Sequence, residues 1–177
     1  MLFLHSKIKS RNKIIGGFLG FLWLWTGIAY HLAFFTEINK AAYVFGGLFV
    51  LQGFIFLIET FFRKKLEFEF KGTVMDYIAY FFIIFGIVIY PVLIYILENS
   101  LSKTISLGLP CPSTIFTFGF LMLTTLKFSK YVLIIPGLWT IVGTTAAYKF
   151  GVYPDYLMPV SAVIAIIYLM RGKKGIG

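Results

Sequence analysis

Apolar residues run through this chain in long blocks, with polar and charged residues confined to the short stretches between them. Covering about 30 Å of hydrocarbon takes close to twenty apolar residues as a helix. Six runs approach or reach that length: 14–35, 41–62, 74–97, 112–128, 131–148 and 154–170. None alternates polar and apolar residues as a membrane barrel strand would, and backbone groups in lipid must be satisfied within the segment. The pattern predicts an all-α polytopic membrane bundle of six transmembrane helices, forming a single transmembrane domain over residues 1–177. The first run follows basic residues, as a signal peptide would, but its apolar part is too long for one and no small-residue cleavage site follows, so a retained helix is expected.

Composition agrees with that pattern: 59% of residues are hydrophobic, 20% aromatic and only 13% charged, where soluble domains carry about a quarter charged. The net charge of +9 raises the question of nucleic acid, and its distribution answers it. Lys7, Lys9, Arg11 and Lys13 precede the first run; Arg63, Lys64, Lys65 and Lys71 lie between the second and third. Lys127 and Lys130 separate the fourth and fifth, and Arg171, Lys173 and Lys174 follow the sixth. Only Lys40, Lys103 and Lys149 fall on the opposite side. Short flanking segments rich in Lys and Arg stay cytoplasmic, which predicts both termini inside a cell (cytoplasmic) membrane. Attraction to anionic headgroups accounts for the basic charge, so the bilayer is the expected partner and nucleic acid is not.

The loop RKKLEFEFKG alternates Leu66, Phe68 and Phe70 with charged residues and is expected to lie along the inner surface. Thr73 with Asp76 fits a capping box, and Glu59 with Arg63 fits a one-turn ion pair, so these acids have structural reasons to exist. Gln52 and Thr140 project near mid-membrane and are expected to hydrogen-bond between helices. Pro91 and Pro136 each remove a donor within a span and predict kinks.

Candidate chemistry gathers at the outer level. The only cysteine stands in LGLPCPSTIFTFG, Leu107 to Gly119. From Pro112 to Leu126 a helix covers about 22 Å, so LGLPC must dip inward to meet it. Pro112 suits a first helical position, Cys111 its cap, and Ser113 and Thr114 the first turn. The same rise places His31 about 26 Å, Asp155 about 23 Å and Cys111 about 23 Å above the inner boundary. Tyr30, Tyr90 and Lys149 fall near that layer, as an outward polar pocket or as an interfacial belt. Gly20, Trp23, Gly27 and His31 recur on one helical face, giving a smooth groove that leads to the imidazole.

GFLWLWTGIAYHLAFFTEINKAA, LGLPCPSTIFTFGFLML and PGLWTIVGTTAAYKFGVYPDY together resemble a prokaryotic family of small multi-pass membrane proteins designated a domain of unknown function. The likeness extends from Phe18 onward. Its most specific parts are Pro110 to Thr117 and Trp25 to His31; members often carry more sequence ahead of the first helix. It implies a helical membrane protein and brings no activity.

Three function classes follow. In the first, an outward pocket binds or transports a small ligand through Cys111, His31, Asp155, Tyr30 and Thr114. Thiol and imidazole together are metal ligands, so Cys111 and His31 could hold a soft metal ion or haem iron. In the second, the polar residues are caps and interhelical glue of a structural or accessory subunit, with a second copy or another membrane protein as partner. In the third, Cys111 is a nucleophile with His31 as base, but no oxyanion or cofactor motif accompanies them, so an enzyme is the weakest of the three.

Overall fold

The computed structural model describes residues 10–99, 107–125 and 128–172. Lys7, Lys9, Lys103, Lys127, Lys173 and Lys174 of the charge pattern lie outside the described residues. Six helices follow in chain order: α1 (Arg11–Glu37), α2 (Ala42–Phe62), α3 (Val74–Glu98), α4 (Pro110–Met122), α5 (Lys130–Phe150) and α6 (Tyr153–Met170). Five of them, all but α4, are long and apolar enough to span a membrane. Among the described residues no strand forms, and the fold is all-helical.

Small residues set the closest contact, between α1 and α2. A Cβ on Gly20 would lie 2.5 Å from Leu57 Cδ2, and one on Gly27 would lie 2.9 Å from the Val50 nitrogen; Gly46 and Gly53 return the same fit from α2. Close backbone approach of this kind substitutes for a hydrophobic drive that lipid does not supply. Trp23, fully buried on the same face of α1, stacks on Phe49 of α2 at 4.4 Å. Its indole nitrogen donates to Thr117 Oγ1 of α4 at 2.9 Å.

α4 is the hub. It packs along α1, α3, α5 and α6, and 11 of its 13 residues are buried. At about 1.5 Å per residue it is about 20 Å long, and it begins and ends earlier than its apolar run suggests. The helix starts at Pro110, with Leu109 as the extended N-cap residue, so Cys111 is not the cap and Pro112 is not the first helical position. Both prolines are tolerated because the first turn of any helix has no intrahelical acceptors for its N–H groups. Gly108, at φ +106°, turns the chain into α4 beneath the Trp25 indole, and its N–H donates to Ser113 Oγ at 3.0 Å.

The other end of α4 is ended by tertiary hydrogen bonds. Glu69 N–H donates to Leu123 O and Thr125 N–H to Glu67 O, both at 2.8 Å. The 63–73 loop therefore does more than lie along a surface: Leu66 and Phe68 insert into the core. Arg11 and Asn12 of α1 clamp it further through the Phe68 carbonyl and amide. Thr73 and Asp76 form the capping box, each bonding the other's backbone N–H. Gln52 donates across to Val132 O of the α5 segment at 3.0 Å. Thr140, by contrast, does not bridge helices; its hydroxyl donates to Pro136 O in its own helix at 2.9 Å, taking up a carbonyl near the proline.

Three helices contain one wider, π-helical turn: Thr26–Leu32 in α1, Ile58–Phe62 in α2 and Phe85–Ile89 in α3. The third stands just before Pro91 and accommodates a ring that would collide with an ordinary turn. The first carries His31, the second Glu59, and Tyr90 follows the third, so each wider turn re-aims a polar side chain inward.

Candidate functional site

At the end of the bundle away from Arg11 and the 63–73 loop, α1, α2 and α5 part around the start of α4. They leave a cavity of about 600 Å³. Its walls are mainly apolar and aromatic, with Phe35, Phe45, Trp139 and Phe150 prominent. α5 supplies its face at helical spacing: Trp139, Val142, Gly143 and Ala146. Gly143 makes room for Met158 of α6, whose Cε lies against the position a Cβ would take.

The polar groups of the cavity converge on Asp155. It sits in the opening turn of α6, is 6% exposed, and accepts a hydrogen bond on Oδ1 from the Tyr90 hydroxyl. Cys111 lines the same cavity as that carboxyl. Tyr30 and an exposed Lys149 complete the lining, the lysine standing at the rim. The Trp139 indole N–H neighbours the Cys111 sulfur but has no hydrogen-bond partner of normal geometry, although the side chain is 9% exposed. A buried donor without a partner costs about 1–3 kcal/mol.

The sequence-derived candidates thus divide. Cys111, Asp155 and Tyr30 line one cavity. His31 is fully buried in the wall behind it, boxed by Phe49 at 4.7 Å, Tyr30 at 5.0 Å and Trp139 at 5.2 Å between ring centroids. Neither imidazole nitrogen has a hydrogen-bond partner. Thr114 points into the packed body of α4, donating to Pro110 O at 2.7 Å. Among the described residues, no group of three His, Cys, Asp or Glu side chains gathers closely enough to hold a metal ion. Tyr90, placed at that depth as a member of a polar pocket or of a belt, lines the cavity, and Trp139, not among the candidates, does so too. Trp139 could have been found from its spacing to Gly143 and Ala146, which places the three on one helical face.

A second buried carboxyl, Glu59, stands near the opposite end of the bundle and is saturated. Arg63 Nη1 approaches it at 3.1 Å, Ser129 Oγ donates at 2.9 Å, and the Tyr131 hydroxyl also donates to it. Arg63 in turn donates to Tyr131 at 2.8 Å. This cluster is an anchor with nothing left to offer a ligand.

No curated protein and no solved structure matches this chain. A family model covers almost all of it, matching residues 1–175, and the chain belongs to DUF6064, a family of unknown function.

Proposed function

We propose that this protein is a cell-membrane protein that binds, and in binding senses or passes on, a small ligand in an outward-facing pocket. The observation that carries the reading is the cavity of about 600 Å³ in which Tyr90 hydrogen-bonds Asp155 beside Cys111 under aromatic walls. Its volume and its few convergent polar atoms fit a small-molecule site. The orientation rests on charge. Arg11, Arg63, Lys71 and Lys130 stand at the end of the bundle opposite the cavity, and the positive-inside rule keeps that end cytoplasmic. On this reading all six helices cross, α4 as a short span sheathed by its neighbours, and both termini lie inside.

The test uses the chain's only cysteine. An impermeant maleimide added to intact cells should modify Cys111, more slowly than a cysteine on the exposed rim at position 149. Ala146→Trp, which adds an indole to the cavity wall, should slow Cys111 modification several-fold. Modification only after the membrane is opened would overturn the orientation, and an unchanged rate in Ala146→Trp would show that the cavity is not the way to the thiol.

A further inference from the structure

We infer that the pocket takes an organic cation, a substituted ammonium group seated between the aromatic walls and the Asp155 carboxylate. This rests on the pocket reading above. Asp155 is 94% withdrawn from solvent by the 6% exposure given above, yet the side chain that bonds it, Tyr90, is a neutral donor. Arg63 pairs with Glu59 and Lys71 with Glu69, and among the described residues no cation pairs with Asp155. An ionised carboxylate withdrawn from water is costly unless a positive charge accompanies it. Among the described residues that charge is supplied at Glu59 and not at Asp155, where the cavity opens instead.

The walls favour the same occupant. Tyr30, Phe35, Phe45, Trp139 and Phe150 surround the space, and aromatic faces attract alkylated ammonium ions through their ring quadrupoles. An anion would meet these faces and the carboxylate together, with only the rim Lys149 to attract it. A neutral ring would fill the volume without answering the charge. The chemistry therefore orders the three classes as cation, neutral, anion.

Protection of Cys111 from maleimide, measured on the full chain in a neutral detergent, reads this order directly. The probes are benzyltrimethylammonium, benzyl alcohol and phenylacetate, which share a ring and differ in charge. Benzyltrimethylammonium should half-protect Cys111 at a concentration about tenfold or more below either competitor. Asp155→Asn, which keeps an acceptor for Tyr90, should raise that concentration about tenfold and leave benzyl alcohol unchanged. Lys149→Gln should leave the cation equally or more protective. If benzyl alcohol or phenylacetate protects as well as the cation in the unmodified protein, the cation inference falls and the pocket remains. An effect of Asp155→Asn equal for all probes removes Asp155 from the recognition and overturns the inference. Protection by none of the three overturns both the inference and the pocket. The ranking in the unmodified protein decides even where Asp155→Asn fails to fold.

Discussion

Three carboxyl groups are buried among the described residues; Asp76 caps its own helix, while Glu59 and Asp155, one toward each end, are treated in opposite ways. Glu59 is fully enclosed and receives a guanidinium and two hydroxyls. Asp155 is almost as enclosed and receives one hydroxyl beside an open cavity that Cys111 also lines. Both groups are tied to wider helical turns and both have a tyrosine donor, so burial and tyrosine do not distinguish them. What distinguishes them is the countercharge, and beside it the empty volume. A carboxylate whose partners are complete holds helices together; one left without a cation at a cavity is arranged for something that arrives.

The comparison can be broken most severely by spoiling the helix pair on which both ends depend. Gly27→Leu drives a side chain against the Val50 backbone 2.9 Å from where its Cβ would stand. It should cost about 3 kcal/mol through overpacking, read as a loss of thermal stability in detergent with Cys111 becoming fast to alkylate. An unchanged melting temperature would mean that this face is not tightly packed.

A smaller and more discriminating effect comes from neutralising each carboxyl in turn. Glu59→Gln weakens the hydrogen bond with Arg63 and leaves one amide group facing a donor, so it should cost about 2 kcal/mol. Asp155→Asn removes a charge that has no countercharge and should cost less than about 0.5 kcal/mol or stabilise the protein. Equal losses from the two substitutions would erase the contrast on which the cavity's assignment rests.

Least of all should change on Cys111→Ser. Serine keeps a small polar side chain at the position, and because Leu109 rather than Cys111 caps α4, no cap is gained or lost. Stability should stay within about 0.5 kcal/mol of the parent. A loss comparable with that of Glu59→Gln would show that the sulfur is packed as part of the core instead of lining a hollow.

Much of this architecture is legible in the alternation of apolar runs and basic loops, because length against bilayer thickness and period against helix geometry are strong constraints. The runs 41–62 and 74–97 coincide with α2 and α3 to within a residue at either end. The run 112–128 does not coincide with α4. Its later residues are apolar enough to continue a helix, but the backbone of Leu123 and Thr125 is taken by Glu67 and Glu69, and nothing local announces that pairing. At the start of α4 two prolines both suit a first turn, so spacing alone cannot choose between them. Counting rise per residue places Tyr30, Tyr90, Cys111, Lys149 and Asp155 at one depth, and all five line the cavity. The same counting places His31 there, yet the imidazole faces Phe49 and Trp139 inside the wall. Depth follows from residue number; azimuth depends on how each helix is rotated, and the wider turn at Thr26–Leu32 shifts that rotation with no marker in the sequence.

The enclosure of α4 has a consequence for how the protein can be assembled in a cell. A helix of about 20 Å with Ser113, Thr114 and Thr117 on it is a poor candidate for release into lipid on its own. Its slot is built mostly before it is made: Trp23 waits for Thr117, and Gly86, whose Cβ would stand 2.9 Å from the Pro112 carbonyl, leaves room for its first turns. α6, which closes the slot from the last-synthesised side, follows it. On the proposed reading that all six helices cross a membrane, α4 would have to stay sheltered until α6 emerges, which would make completion of the bundle, and with it of the cavity around Asp155, a single late event in biogenesis.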